Sequence, residues 1–291
     1  MRKLFINQLT KMNIKKKNIY LIINDLGFNV IEPFKKKFPQ RCFNAGVSEQ
    51  SMMSLSAGIA SEKCHTFVYS IANFTTFRCA EQIRNDVDYH QLPVTIVSVG
   101  SGVGYGNLGY SHHALQDYAL MRSFPNMIIL SPGNKNELIN SLKYIVKNPQ
   151  PSYLRLDKDE ILNEEKFTNS NIEPGRPIKI LNGSKKNAII VTGKMQQTAH
   201  YLTKKRYKGY SIFSLPIWGM KTKKKFLSSI SQFSKIVTLE DHFYDGGFGS
   251  WVNEILIANK KKIDIKSEYI STDCIYDVGS KNYLLKKYGP K

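Results

Sequence analysis

Apolar and polar positions along the chain fall into blocks that alternate between strand-like and helix-like patterns. Residues 1–13 predict a helix. Residues 18–24 (Asn-Ile-Tyr-Leu-Ile-Ile-Asn) form a continuous apolar run, a buried strand ended by Asp25 and Gly27. A helix rich in small residues starts at Glu49, and a short strand covers 66–69. Phe74, Phe77, Ile83 and Val87 recur at helical spacing, predicting one amphipathic helix from Phe74 to about His90. Residues 93–99 are an apolar strand, and a glycine-rich loop then runs to Ser111. A helix at about 115–123, a strand at 127–130, a helix around 137–146 and a strand at 152–156 complete this part.

A second rhythm starts at Asn187. Strands are predicted at 188–191, 210–214 and 235–239, with helices at 197–205 and 224–231. A further helix follows Gly246-Gly247-Phe248-Gly249, and a short strand at 269–271 ends the pattern. Strands alternating with helices predict an α/β protein of two domains, each a mostly parallel sheet flanked by helices. Residues 158–186 turn polar, with Pro174 and Pro177, and read as a linker. The expected division is therefore 1–157, linker 158–186, and a smaller domain 187–291.

Composition narrows the function classes. With 291 residues and 42% hydrophobic content, the chain can bury real cores. No run of about 18 apolar residues occurs, so no membrane span is expected. The basic start, Met1-Arg2-Lys3, lacks the apolar stretch of a signal peptide. Cys42, Cys64, Cys79 and Cys274 are scattered, without a Cys-x-x-Cys pair, which fits a reducing cytoplasm and gives no metal signature. The net charge of +19 invites a nucleic-acid reading, but the lysines are dispersed and do not alternate with aromatics. A solvated lysine-rich face is expected, with no nucleic-acid partner. An acidic protein or phosphorylated substrates are the other readings of that charge.

Four local features could carry chemistry. Glu49 opens an uncharged helix behind Ser48, a good N-cap. It either caps its helix through the dipole or is desolvated, with a raised pKa, to hold a proton. Phe74 and Phe77, at i and i+3, share a helix face and are either core or an aromatic wall for a flat ring. The loop 100–109 holds a formal G-x-G-x-x-G match, Gly104 to Gly109. It lies too far past the strand, and Leu130-Ser131-Pro132 stands where a ribose-binding acid belongs, so it is no dinucleotide site. His112 and His113 end that loop without a third metal ligand at a convincing spacing; one histidine placed for proton transfer, or a plain surface pair, are the two readings.

The order and spacing of these features carry more than each alone. Gly46-Val47-Ser48-Glu49-Gln50, Phe74-x-x-Phe77, Glu81-Gln82-Ile83-Arg84-Asn85, Gly109-Tyr110-Ser111-His112 and Tyr153-Leu154-Arg155 resemble the pyrimidine-binding half of transketolases. Leu239-Glu240-Asp241-His242 and Gly246-Gly247-Phe248-Gly249 resemble their C-terminal domain. The resemblance implies thiamin diphosphate as cofactor, with Glu49 on N1′ of its aminopyrimidine. Proton sharing at N1′ opens the imino tautomer, whose imine removes the thiazolium C2 proton. It also implies Phe74 stacked on the pyrimidine, Phe77 lining the same pocket and Asp25 near the cofactor. His112 falls near the substrate hydroxyls, Arg155 on a substrate phosphate, and Asn29 where a phosphate-contacting serine is common.

One part of the family pattern is missing. The Gly-Asp-Gly segment that holds the diphosphate through Mg²⁺ does not occur; the nearest string is Asp245-Gly246-Gly247, in the other domain. The chain is therefore expected to be one subunit of a split transketolase. A partner would carry the metal and diphosphate site in an α2β2 assembly, with the small-residue helix at an interface. Gly100 and Leu108 stand where the family places a histidine and an acid that read sugar hydroxyls, so a non-standard sugar is expected. A subunit like 1-deoxyxylulose-5-phosphate synthase, or of a 2-oxoacid dehydrogenase, is the alternative.

Overall fold

The computed structural model describes residues 1–16, 18–158 and 172–291. Helix α1 (Arg2–Lys16) leads into β1 (Ile19–Ile23), α2 (Glu32–Lys37), β2 (Cys42–Asn44), α3 (Glu49–Ser61) and β3 (His65–Ile71). Next come α4 (Ala72–Thr76), a 3-10 turn, α5 (Ala80–Gln82) and a π-helical turn over Ile83–Asp88. Then β4 (Val94–Val99), α6 (Asp117–Met121), β5 (Ile128–Leu130), α7 (Lys135–Lys147) and β6 (Ser152–Leu156) follow. The remaining chain forms β7 (Ile178–Leu181), β8 (Asn187–Val191), α8 (Gln196–Lys205), β9 (Ser211–Ser214), β10 (Ile217–Gly219) and α9 (Lys223–Ile230). It closes with β11 (Lys235–Leu239), α10 (Phe248–Ala258), β12 (Asp264–Glu268) and α11 (Lys281–Tyr288).

Two sheets result, a seven-stranded one in the order β10-β5-β6-β4-β3-β1-β2 and a five-stranded one in the order β12-β11-β8-β9-β7. All pairings are parallel except β10 with β5 and β7 with β9. Every residue of β4 and β6 is buried, as continuous apolar strands covered on both faces require. The expected α/β architecture is therefore present.

Four expectations are corrected. The helix drawn from Phe74 to His90 is segmented, because Cys79 leaves helical geometry and the chain ends in a π turn. The final strand is Asp264–Glu268, not 269–271. Asp-Ile-Lys-Ser-Glu pairs only with β11 at a sheet edge, so its apolar signal is weak, and Ser271 instead starts a 3-10 turn. The side chain of Ser48 does not cap α3; its Oγ donates to Ala45 O at 2.7 Å. The division at residue 187 does not follow the sheets. β7, inside the expected linker, joins the second sheet, whereas β10, well past the linker, closes the edge of the first. Residues 159–171 of that linker lie outside the described residues.

The two sheets are joined by a core and by buried charge. Trp218 on β10 packs against Tyr118, Phe248 and Trp251 at ring separations of 5.1, 5.4 and 5.2 Å. Beside it Arg155, at the end of β6, is almost fully buried. Its Nε donates to Asp117 Oδ2 at 2.6 Å, its Nη1 pairs with Asp241 of the second half, and its Nη2 donates to Ala114 O at 2.7 Å. The guanidinium lies 4.4 Å from the centre of the Tyr118 ring. Nearer the surface, Arg122 grips Glu254 at 3.0 and 2.7 Å.

His242 belongs to the same junction. Tyr118 N–H donates to its Nε2 at 3.2 Å and its Nδ1 bonds Phe243 O at 2.7 Å, the pattern of a neutral ring with its proton on Nδ1. Burial pushes its pKa down to about 4, although Asp117 at 3.7 Å pulls the other way.

Two outcomes follow for stability. Arg155→Ala strands two buried carboxylates and should cost ~3–5 kcal/mol in urea unfolding. His242 takes up its proton near 6.5 when unfolded but only near 4 when folded, so acidification between these values favours the unfolded chain. The stability advantage of wild type over His242→Asn should therefore shrink by up to ~3 kcal/mol as pH falls from 6.5 to 4.

Candidate active site

The carboxyl ends of parallel strands collect most of the predicted chemistry. In the first sheet, β1 is followed in sequence by β2 on one side and by β3 on the other, a topological switch point where open α/β sheets bind ligands. Asn24 and Asp25 follow β1, Glu49 follows β2, Phe74 follows β3, and the loop to His112 follows β4.

The turn after β1 is fixed by Asn44. Its Oδ1 accepts from Asp25 N–H at 2.8 Å and Gly46 N–H at 3.0 Å, and its Nδ2 donates to Asp25 Oδ1 at 3.1 Å. Asp25 takes a left-handed conformation, φ 58°, and stays exposed at the rim. Asn29, also left-handed at φ 60°, is exposed as well, with its N–H donated to Glu32.

Glu49 is 6% exposed at the first residue of α3. Asn24 Nδ2 donates to its Oε1 at 2.8 Å, and Arg78 Nη1 donates to the same oxygen at 2.9 Å. Neither bond reaches Oε2. Asn24 Oδ1 is buried with no partner. Glu49 borders an open cleft of about 370 Å³ with Val47, Gln50, Ser51 and Arg78.

Phe74 is half-buried. The Arg78 guanidinium carbon lies 3.9 Å from its ring centre, and the His112 ring meets it edge-on at 5.2 Å. Phe77 follows α4 with helical geometry, its N–H bonded to Asn73 O, and its side chain is 47% exposed. His112 is held by Ser111 Oγ at 2.9 Å from Nδ1 and by the edge of Tyr105 at 6.2 Å. Partial burial, then the nearby Arg78 charge, holds its pKa below 6.5. His113 is fully buried, so His112 is the histidine available to a ligand.

Arg155 does not serve as an accessible phosphate contact in this structure. Two carboxylates and a backbone carbonyl engage its guanidinium, and it is 2% exposed. The sequence pattern placed a cation at the end of β6 but could not show that Asp117 and Asp241 converge on it. Lys158, three residues on, is nearer the surface, with its Nζ 4.8 Å from the Tyr105 ring centre.

Sequence reasoning passed over Asn24 and Arg78. Arg78 left a signal, being the only formal charge between Lys63 and Glu81 and four residues after Phe74. Asn24 left none, since its role depends on the pairing of β1 with β2.

A buried acid and an aromatic ring are thus gathered at the switch point of a parallel sheet. Residues 1–162 match the pyrimidine-binding domain of transketolase. A transketolase C-terminal section from Methanocaldococcus jannaschii is 34% identical over 299 residues, spanning 99% of this chain and 92% of that protein. One of the subunits of an apulose-4-phosphate transketolase from Actinobacillus succinogenes is 28% identical over 89% of this chain and 84% of its own length. A solved structure described as the inactive β4 tetramer of a split-gene transketolase superposes with a TM-score of 0.82 at 27% identity, over 100% of this chain and 93% of that one. This chain belongs to the transketolase family, and its relatives include a transketolase C-terminal section, a transketolase subunit and a split-gene transketolase. Among the described residues no helix is long and apolar enough to cross a membrane.

The glycine loop offers a test of how His112 is placed. Gly100 has φ +94°, and a methyl group there would stand 2.2 Å from the Tyr105 ring that supports His112. Gly100→Ala should lower stability by ~1–3 kcal/mol, with the largest NMR shift changes at Tyr105 and His112.

Proposed function

We propose that this chain is the β-type subunit of a split transketolase. It transfers a two-carbon ketol unit from a ketose donor to an aldose acceptor with thiamin diphosphate. The observation that carries this reading is Glu49, a buried carboxylate held through one oxygen by Asn24 and Arg78 with its other oxygen unbonded, and joined to the ring of Phe74 through the Arg78 guanidinium. An aminopyrimidine needs that combination, an acceptor for a proton at N1′ and an apolar face for its ring. The orphaned Asn24 Oδ1 adds a second unmet acceptor beside it.

Thiamin diphosphate, when bound, supplies a carbanion able to add to a ketose carbonyl. Glu49 would hold the proton at N1′, out of bulk water, with Asn24 fixing the carboxylate plane. Phe74 would carry the ring. His112, kept neutral near pH 7 by its depressed pKa, would accept or return a proton at the substrate hydroxyl end. Asp25 and Asn29 stand at the rim, and Lys158 offers the cation for an anionic group that Arg155 cannot.

Two features support a partner. The cleft at Glu49 is open to solvent, and exposed Val47, Leu55 and Phe77 lie on or beside α3. The outer row of that helix is Ser51, Ser54, Leu55 and Gly58, which allows close approach of another helix. The diphosphate and Mg²⁺ would be held by a Gly-Asp-Gly-bearing subunit, in an α2β2 complex. Because Gly100 and Leu108 lack the donors and acceptors of common sugar-reading positions, the sugar is a non-standard one.

The test is reconstitution with the Gly-Asp-Gly-bearing chain encoded nearest to it. Ketol transfer should require both chains, thiamin diphosphate and Mg²⁺, and Glu49→Gln should lower kcat by about a hundredfold or more. Turnover by this chain alone would sink the partner requirement. Xylulose 5-phosphate and ribose 5-phosphate as the best pair would sink the non-standard sugar, and decarboxylation of a 2-oxoacid would replace ketol transfer.

A further inference from the structure

We propose that Arg78 is a resident plug of the pyrimidine site, covering in the free chain the Phe74 face on which the aminopyrimidine would stack while neutralising Glu49 through Oε1, and that loading requires it to swing out. The inference rests on the cofactor reading above and concerns how that site is kept and opened. Arg78 Nη1 donates to Glu49 Oε1 at 2.9 Å while the same guanidinium lies on the Phe74 ring at 3.9 Å. A guanidinium is planar, delocalised and rich in N–H donors, so it can satisfy an acid and an aromatic face together. A pyrimidine asks for the same acid and the same kind of stacking.

The two occupants exclude each other on the ring face that Arg78 covers. A stacked pyrimidine would sit about 3.5–4 Å from the Phe74 face, the separation at which flat groups touch, and the guanidinium already holds that distance. The cation is also well suited to leave. Its side chain is 49% exposed, whereas Glu49 is 6% exposed, and Glu49 and Phe74 are the two groups that hold its guanidinium. The benefit to the free chain is electrostatic. Without a cofactor, Glu49 would be a buried carboxylate with only Asn24 for company, and the guanidinium neutralises it. The free chain therefore folds with the Phe74 face occupied, and loading exchanges one cation for the cofactor ring.

Thiamin, which lacks the diphosphate and so does not depend on the partner's metal site, is the probe. Its binding to the isolated chain is measured by calorimetry and by the NMR titration of His112, whose pKa is held down by burial and then by Arg78. Arg78→Ala should bind thiamin about tenfold or more tighter than wild type, because the closed state no longer competes, and its free His112 should titrate at higher pH. Arg78→Lys keeps a charge for Glu49 but cannot lie flat on Phe74, so it should fall between the two and serves if the alanine variant folds poorly. Adding Glu49→Gln to Arg78→Ala should abolish the gain.

Equal binding by wild type and Arg78→Ala would overturn the plug and leave the cofactor site standing. Weaker binding by Arg78→Ala would also overturn it, making Arg78 a ligand of the pyrimidine. A gain that survives Glu49→Gln would overturn it as well, since thiamin would then sit elsewhere. Binding by no variant would overturn the plug together with the cofactor reading.

Discussion

One guanidinium sets the spacing of the whole molecule. Arg155 leaves the end of β6 and is clasped by Asp117 from the first half and Asp241 from the second. A buried cation tolerates no slack, because any separation leaves unsolvated charge. The Trp218 and Trp251 packing and the neutral His242 lie at the same junction. The loop carrying His112 is tied to the same junction, since Ala114 O accepts from Arg155 Nη2. The interdomain ion pairs and the placement of a candidate catalytic histidine are thus one arrangement.

The candidate site follows a different logic, being deliberately unfinished. Its acid is buried but its cleft is open, and its aromatic wall is covered by a cation from its own chain. Most proteins satisfy a buried carboxylate permanently. Here the charge compensation comes from Arg78, a side chain half in water.

The legible and illegible parts of the sequence divide by the range of the interaction. Apolar runs such as those over β1 and β4 announce themselves because burial on both faces demands them. Glu49 was visible as a lone acid in a neutral helix, and His112 as the end of a glycine loop. The fate of Arg155 was not visible, because Asp117 and Asp241 reach it only after both halves fold. The segmentation after α4 was hidden for another reason: periodicity measures spacing, not the local winding that sets 3-10 and π segments beyond it. Polar β12 carried too little apolar signal to be seen as an edge strand.

β10 changes what counts as a unit of this chain. Ile217–Gly219 comes from the second half yet hydrogen-bonds along β5 and completes the first sheet. Any fragment ending between Asp157 and Ile217 would therefore expose a bare strand edge at Ile128–Leu130, the kind of edge that recruits other chains. The second half, expressed by itself, would carry an orphaned strand and an exposed Trp218. A cut at the linker would therefore open the first sheet, and any engineering of this chain has to keep β10 with β5.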